Sequence, residues 1–417
     1  MISKFKLSFI ILTSILGAQD NIDGRITVST FANYSENLSD RTSLRLKQRF
    51  SLEVRDIADS KLSFTSYFNT SYRQNVRNDE TIESRYLRVY DLAFRYDLNK
   101  STSLIAGRKI NPTLSNIGVI DGIQINKSWD KFSGGLILGS RPDFADFGYN
   151  SNLFEAGIYG SHSSIDKSKR TSFALTQQMN GKSIDRRSLY FTQQNKISDK
   201  LRYYVNGEFD LYEKINDIAK TSLKLTGLYI STTYKPSRTL SVSTSYNSRK
   251  NIIYYETFKS YAEQLYNDET RHGIRMRVNW KAKKYVYLNL NSGYRFRNGD
   301  KQSSYNYSGS LSHSQLPFLH VLSRFTLSYL TSNYLDGKIM DIYISKSLFK
   351  GYLTASTNYK YVYYRYINSE VTLTQYLISG DLTWLLKSKL SFTISYNGSF
   401  ENELDYNQIY FSISQRF

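Results

Sequence analysis

Cysteine is absent from the 417 residues, and proline and histidine occur only four times each. Without cysteine there is no disulfide framework, no thiolate metal site and no cysteine nucleophile. Scarce proline leaves long stretches free to donate every N–H into a β-ladder. Past the N-terminal segment no run of 18 apolar residues occurs, so no helical membrane span is expected. His162, His272, His313 and His320 are scattered, with no HExxH among them. GxSxG and P-loop patterns are missing too. No catalytic, cofactor-binding or metal-ligating residue is therefore named, and the chain is expected not to be an enzyme.

Aromatic residues and positive charge are what the chain has in quantity. It carries 37 Tyr, 23 Phe and 3 Trp, and 55 Lys plus Arg against 36 Asp plus Glu, a formal charge of +19. Such an aromatic load argues against disorder. The first residues, MISKFKLSFIILTSILGA, place Lys4 and Lys6 before an apolar run of about ten residues and a small-residue end. This is the layout of a signal peptide over residues 1–18, too short to span a bilayer; the competing reading is a buried N-terminal helix. Losing Lys4 and Lys6 lowers the formal charge from +19 to +17. An export signal disfavours nucleic acid as the reason for that charge.

From Arg25 onward apolar residues return at every second position. Leu44, Leu46, Phe50 and Leu52 alternate with Arg45, Lys47, Arg49, Ser51 and Glu53. Ile274, Met276, Val278 and Trp280 alternate with Arg275, Arg277 and Asn279. Period two means strands with one apolar and one polar face. Ten short polar turns, such as Ser198-Asp199-Lys200-Leu201 and Leu386-Lys387-Ser388-Lys389, punctuate the pattern. Eleven polar connections between them bring the count to 22 strands, with 18 to 22 as the working range. Pro112, Pro142, Pro236 and Pro317 all fall in proposed turns or loops.

So many antiparallel strands must manage their edges, by radial repetition or by closure. No motif recurs every 40 to 50 residues, as propeller blades would require. The chain ends Gln408-Ile409-Tyr410-Phe411-Ser412-Ile413-Ser414-Gln415-Arg416-Phe417, with Phe411, Ile413 and the terminal Phe417 on one parity. This strand resembles the C-terminal signature of bacterial outer-membrane β-barrels. The resemblance implies that the barrel-assembly machinery reads Phe411, Ile413 and Phe417, and that outer-membrane lipid surrounds the chain. Trp129, Trp280 and Trp384 each precede a short turn, as an aromatic girdle on the periplasmic side would require. Ordinary strand packing is the other reading of each tryptophan. Tyr86, Tyr90, Tyr361 and Tyr363 are candidates for the opposite girdle.

The fold class is therefore all-β: a single closed antiparallel up-and-down transmembrane barrel of about 18–22 strands over residues 19–417, preceded by a signal peptide. Strand alternation begins too early for a plug domain of the kind that precedes TonB-dependent barrels. A barrel this wide then needs inward loops or a large pore. The inward candidate is 250–268, where Phe258, Tyr261 and Leu265 have helical spacing; an exposed outer loop is the alternative. Loop 141–150, acidic and aromatic, is either a glycan or cation binder or an ordered cap.

If the apolar parity faces lipid, Arg45, Lys47, Arg49, Arg275, Arg277, Arg295 and Arg297 face the lumen. Arg55, Arg202, Arg324 and Lys360 share that parity, as do the acids Glu53, Glu208, Asp210 and Asp381. Rings of Arg and Lys favour anions. The expected function is a porin-like diffusion channel with a basic lumen that favours small anionic solutes. The alternative is a plugged, non-conducting barrel with a structural or surface-binding role.

Overall fold

The computed structural model describes residues 21–35, 41–77, 80–112, 117–215, 218–250, 252, 254–256, 270–297, 299–300, 302–369, 371–387, 389–401 and 404–417. The expected signal peptide 1–18 lies outside the described residues. So does the helical stretch containing Phe258, Tyr261 and Leu265.

The described residues form 22 strands, the upper end of the expected range. The first eight are β1 (Ile22–Ser35), β2 (Arg41–Val54), β3 (Leu62–Arg77), β4 (Glu80–Asn99), β5 (Thr102–Ile110), β6 (Val119–Trp129), β7 (Phe132–Ser140) and β8 (Phe154–Ser163). Next come β9 (Lys169–Asn180), β10 (Ser183–Lys196), β11 (Leu201–Ile215), β12 (Ile218–Tyr234), β13 (Leu240–Arg249), β14 (Arg271–Lys283) and β15 (Val286–Arg297). The last are β16 (Ser304–His313), β17 (Leu322–Thr331), β18 (Leu335–Leu348), β19 (Leu353–Tyr366), β20 (Thr372–Lys387), β21 (Leu390–Phe400) and β22 (Asp405–Arg416). Each pairs antiparallel with its neighbours in sequence. β1 also pairs with β22, from Arg25 opposite Arg416 to Ser35 opposite Tyr406, which closes the ring. At a strand spacing of about 4.8 Å and a tilt near 40°, a circular barrel of this strand number is about 40 Å across.

All four prolines lie outside the strands, so the ladder loses no donor to them. The apolar parity faces outward: Ile123, Leu138, Ile158, Phe173, Leu327 and Ile394 are all more than half exposed. A continuous apolar belt of that extent belongs in lipid rather than water. Trp129, Trp280 and Trp384 are also exposed on this outer face, at the end that carries the ten short turns. On β20, Trp384 and the outward Tyr376 lie eight residues apart. That is roughly 21 Å of height at a 40° tilt, near the ~25 Å apolar band of such barrels. Tyr361 pairs with Tyr376 and Tyr363 with Thr374, so both belong to the upper band. Tyr86 does not. It pairs with the buried Ser71 and takes a hydrogen bond from Arg45, and so faces the lumen. A bulge between Val89 and Asp91 leaves Tyr90 without a cross-strand partner and shifts the parity on either side of it, which strict alternation along β4 conceals.

Several polar connections are shorter than the sequence suggests. β3 and β4 run to Arg77 and Glu80, and β9 and β10 to Asn180 and Ser183. Polar residues on both faces suit strands that continue above the membrane into water. β4 has 20 residues and β12 has 17, against the 9–11 needed to cross. Three connections at this end remain long, 111–118, 141–153 and 250–270, and their described residues contact the inner wall.

At the seam Gly24 and Phe417 exchange two backbone hydrogen bonds, each 3.1 Å, and the Phe417 ring covers the glycine. A Cβ on Gly24 would collide with that ring. Phe411 and Ile413 lie on the same outer parity.

Candidate functional site in the lumen

The inner wall divides into a sector whose charges are paired and covered by loops, and sectors whose cations stand uncompensated. The first runs from Asp91 on β4 round to β12, and Arg88, N-terminal to Asp91 on β4, belongs to the second kind. There Lys109 Nζ donates to Asp91 (2.8 Å) and to Thr65 (2.7 Å). Arg108 forks onto Asp121 with bonds of 2.5 and 2.6 Å. Arg186 Nη2 reaches both Glu208 (2.5 Å) and Asp210 (2.6 Å), acids expected to face the lumen. The bidentate Arg108–Asp121 fork is the strong, oriented kind of arginine–carboxylate pair, and Arg186 bridges two carboxylates.

A β-bulge deepens this cluster. Ile184 pairs with Met179 and Arg186 with Gln178, which leaves Asp185 as the extra residue. Asp185 and Arg186 are consequently both buried, where strict alternation would separate them. Asp185 Oδ2 accepts from Arg141 at 2.9 Å. Its Oδ1 accepts the backbone N–H of Glu256 at 2.8 Å, and its carbonyl accepts that of Tyr255 at 3.2 Å. Tyr254 lies between the guanidiniums of Arg141 (5.3 Å) and Arg186 (5.9 Å), and Lys214 pairs with Glu256 at 2.6 Å. The stem of the 250–270 connection thus leaves β13 and crosses to β10. This much of the inward-loop expectation lies within the described residues.

Beneath the loops sits a small apolar core of Ile117, Ile120, Ile137, Tyr159, Ala174 and Tyr190. Asn111 donates to Gln124 Oε1 (3.1 Å) and to the Tyr159 hydroxyl (3.3 Å), tying 111–118 to the wall. Gly122, in this sector, approaches the Leu138 carbonyl so closely that a Cβ would collide with it. Glycine there permits the tight approach of β6 and β7.

Loop 141–153 braces itself. Asp143 accepts from the N–H of Ala145 (2.8 Å) and from the Asn150 amide (2.9 Å), and its own N–H donates to the Gly148 carbonyl (2.8 Å). The Phe147 carbonyl accepts from Arg108 at 2.9 Å. The geometry is that of an ordered cap, with the Asp143 carboxylate engaged inside it. The Ala145 N–H, followed by Asn150, holds this carboxyl below the ordinary carboxylate range. With a depressed folded pKa, the contribution of Asp143 is present above its unfolded pKa and lost as pH falls through the folded one. The cap is expected to loosen on acidification below about pH 4. Pepsin cleavage at Phe144 or Phe147 measures this: cleavage should rise steeply on acidification in the native chain, and the Asp143→Asn variant should have lost the step.

Elsewhere the wall keeps its charge. Arg45, Lys47 and Arg49 on β2 face inward, and Arg45 is oriented by Ser71 Oγ (3.2 Å) and the Tyr86 hydroxyl (3.2 Å). Arg275 and Arg277 on β14 and Arg295 on β15 face inward as well; Arg277 Nε donates to Asn291 at 2.9 Å. Among the described residues none of these six has a carboxylate within ion-pair distance. Arg297 differs, since it pairs with Asp300 at 2.8 Å. Arg55 is likewise held by Asp23 and Glu53, and Lys360 by Asp341 at 3.5 Å. Asp381 accepts from Ser356 at 3.3 Å. His272 lies on the outer parity, hydrogen-bonded to Tyr246 (2.8 Å) and stacked on Phe296. Among the described residues no group of three His, Asp or Glu can hold a metal.

Sequence reading missed Arg73 and Arg88, which extend the β2 row onto β3 and β4. Arg73 sits directly opposite Arg45, so pairing β2 with β3 in register would have found it.

No known family profile and no curated protein matches the chain. Solved structures do. The P pilus usher (PapC) translocation pore aligns over 95% of this chain and 99% of its own, with a TM-score of 0.56 and 11% identity. A mutant of the ferric enterobactin receptor (PfeA) from Pseudomonas aeruginosa aligns over 95% of this chain and 80% of its own, with a TM-score of 0.60 and 8% identity. The fold, a closed barrel with an apolar outer belt, is that of a bacterial outer-membrane β-barrel.

Proposed function

We propose that the chain is an integral outer-membrane channel that favours anionic solutes. One observation carries the reading: uncompensated arginines line two walls that face each other. β2 and β14 are twelve strands apart in a ring of 22, which places them on opposite sides. Rings of cationic side chains raise the local anion concentration and favour anion passage. The paired sector between them contributes bulk rather than net field. The apolar belt and the tryptophan girdle support an outer-membrane location. The terminal Phe417 strand supports recognition by the barrel-assembly machinery.

Magnitudes set the strength of the selectivity. The field of a wall charge decays over about 8 Å at physiological ionic strength and about 3 Å at 1 M. A lumen about 40 Å between backbones is much wider, even after the inward loops narrow it. Anion preference is therefore expected to be clear at low salt and to fade at high salt. Planar-bilayer reversal potentials in KCl gradients at several mean concentrations test this. A cation-selective pore, or an anion preference that does not change with salt, would overturn the reading.

A second reading is favoured by the stem 254–256 and the cap 141–153, which reach into the mouth: a closed barrel whose projecting strands form an interaction surface. A folded but silent barrel would select it.

A further inference from the structure

We propose that the inner face of β2–β4 is a binding site for solutes carrying two or more anionic groups. The proposal rests on the channel reading and goes beyond it, because general anion preference needs no particular arrangement of cations.

The register lays out three rows. Arg45 is directly opposite Arg73, Lys47 opposite Ser71 and then Tyr86, and Arg49 opposite Asn69 and then Arg88. Ser71 and Asn69 are buried in the wall between the cations. Arg49, Arg73 and Arg88 are exposed to the lumen, and Arg45 and Lys47 are half-buried. Five cations thus occupy a patch two strand spacings wide. Among the described residues none of them has a carboxylate within ion-pair distance.

Two features separate this patch from a solvated row of charges. First, Arg45 and Arg73 are like charges directly opposite each other, an arrangement that destabilises a sheet. Among the described residues no carboxylate stands within ion-pair distance to relieve it, whereas Lys109, Arg108 and Arg186 are neutralised by Asp91, Asp121, Glu208 and Asp210. Second, three of the four guanidiniums are held in place. Arg45 is fixed by Ser71 and Tyr86, Arg73 donates to Asn75 at 2.9 Å, and Arg88 stacks on Tyr86 (5.3 Å) and Phe147 (5.8 Å). Facing backbones stand about 5 Å apart and residues four apart along a strand about 13 Å. A single small anion can engage one or two of these groups. A solute whose charges are spread over about 5 to 13 Å can engage most of them, with charge-assisted hydrogen bonds to each.

The probe is inorganic tripolyphosphate, added to the bath while chloride current is recorded, with acetate at matched ionic strength as control. Tripolyphosphate is expected to block and acetate is not. The double variant Arg73→Gln/Arg88→Gln should raise the half-blocking concentration at least about tenfold. Arg275→Gln/Arg295→Gln, on the opposite wall, should move it far less while lowering anion preference. Arg73→Gln alone removes a like-charge pair and keeps the fold, so it serves where the double variant fails to assemble. An anion-selective pore with no polyanion block, or with block lifted equally from both walls, overturns the site and leaves the channel reading intact. A silent or cation-selective barrel overturns the channel reading. Calorimetry of tripolyphosphate on the detergent-folded barrel then decides the site, and absence of binding sinks it.

Discussion

Asp185→Ala is expected to open the mouth of the barrel and raise its single-channel conductance. Asp185 is the residue on which the 254–256 stem rests. Its carboxylate binds both Arg141 and the N–H of Glu256, and its carbonyl binds the N–H of Tyr255. Removing one partner of a buried charge pair costs about 3–5 kcal/mol, the lower end applying here because Glu155, 3.8 Å from Arg141, still offsets part of its charge. A loss of about 3 kcal/mol shifts a docked-to-undocked ratio by roughly a hundredfold. That loss falls on the stem and the Arg141 end of the cap, while strand pairing around the ring is intact. The barrel should therefore keep its folded electrophoretic mobility and gain conductance. Asp185→Asn separates the contributions: it keeps an acceptor for Glu256 but loses the charge that holds Arg141, so an intermediate conductance is expected. Equal conductance in all three forms would show that the stem does not obstruct the pore. Lys214→Met tests the far end, where the pair with Glu256 adds a second anchor.

The barrel itself was legible in the sequence because its determinants are local and repeated. Ile274, Met276 and Val278 against Arg275 and Arg277 state which face meets lipid, and the short turns state which end is which. The inward arginines of β2 and β14 followed from parity alone. What parity could not supply is any contact that depends on a break in parity or on a loop's destination. Asp185 and Arg186 sit side by side in the wall because of a bulge, and nothing in their neighbours announces it. Arg141 reads as a loop residue until its carboxylate partners on β8 and β10 are seen. The compensation of Arg297 by Asp300 is local in sequence and was within reach. Tyr86 reads as girdle because it is aromatic and near a strand end; the bulge that follows it, at Tyr90, shifts the parity and turns its face to the lumen. Regular strands declare themselves through period two, while the site is assembled from irregularities laid over that period.

Loss of the terminal aromatic is the other change with a large expected effect, and its two causes can be separated. Phe417 closes the β1–β22 seam by covering Gly24, and it also ends the strand that the assembly machinery is proposed to read. Phe417→Ala removes both roles. Gly24→Ala displaces the ring from the seam but leaves the C-terminal strand unchanged in sequence. Truncation of a well-packed phenylalanine costs about 3–5 kcal/mol in a protein core, an upper bound for a buried ring at the end of the barrel seam. Both variants should therefore unfold at lower urea than the native barrel when refolded into detergent. In cells they should diverge: Phe417→Ala should lose most of its outer-membrane insertion, and Gly24→Ala should retain most of it. If both insert equally well, Phe417 acts only as a seam residue. If both fail equally, seam stability rather than recognition limits assembly. The comparison has force because Gly24 lies at the opposite end of the chain from the signal and meets it only once the ring has closed.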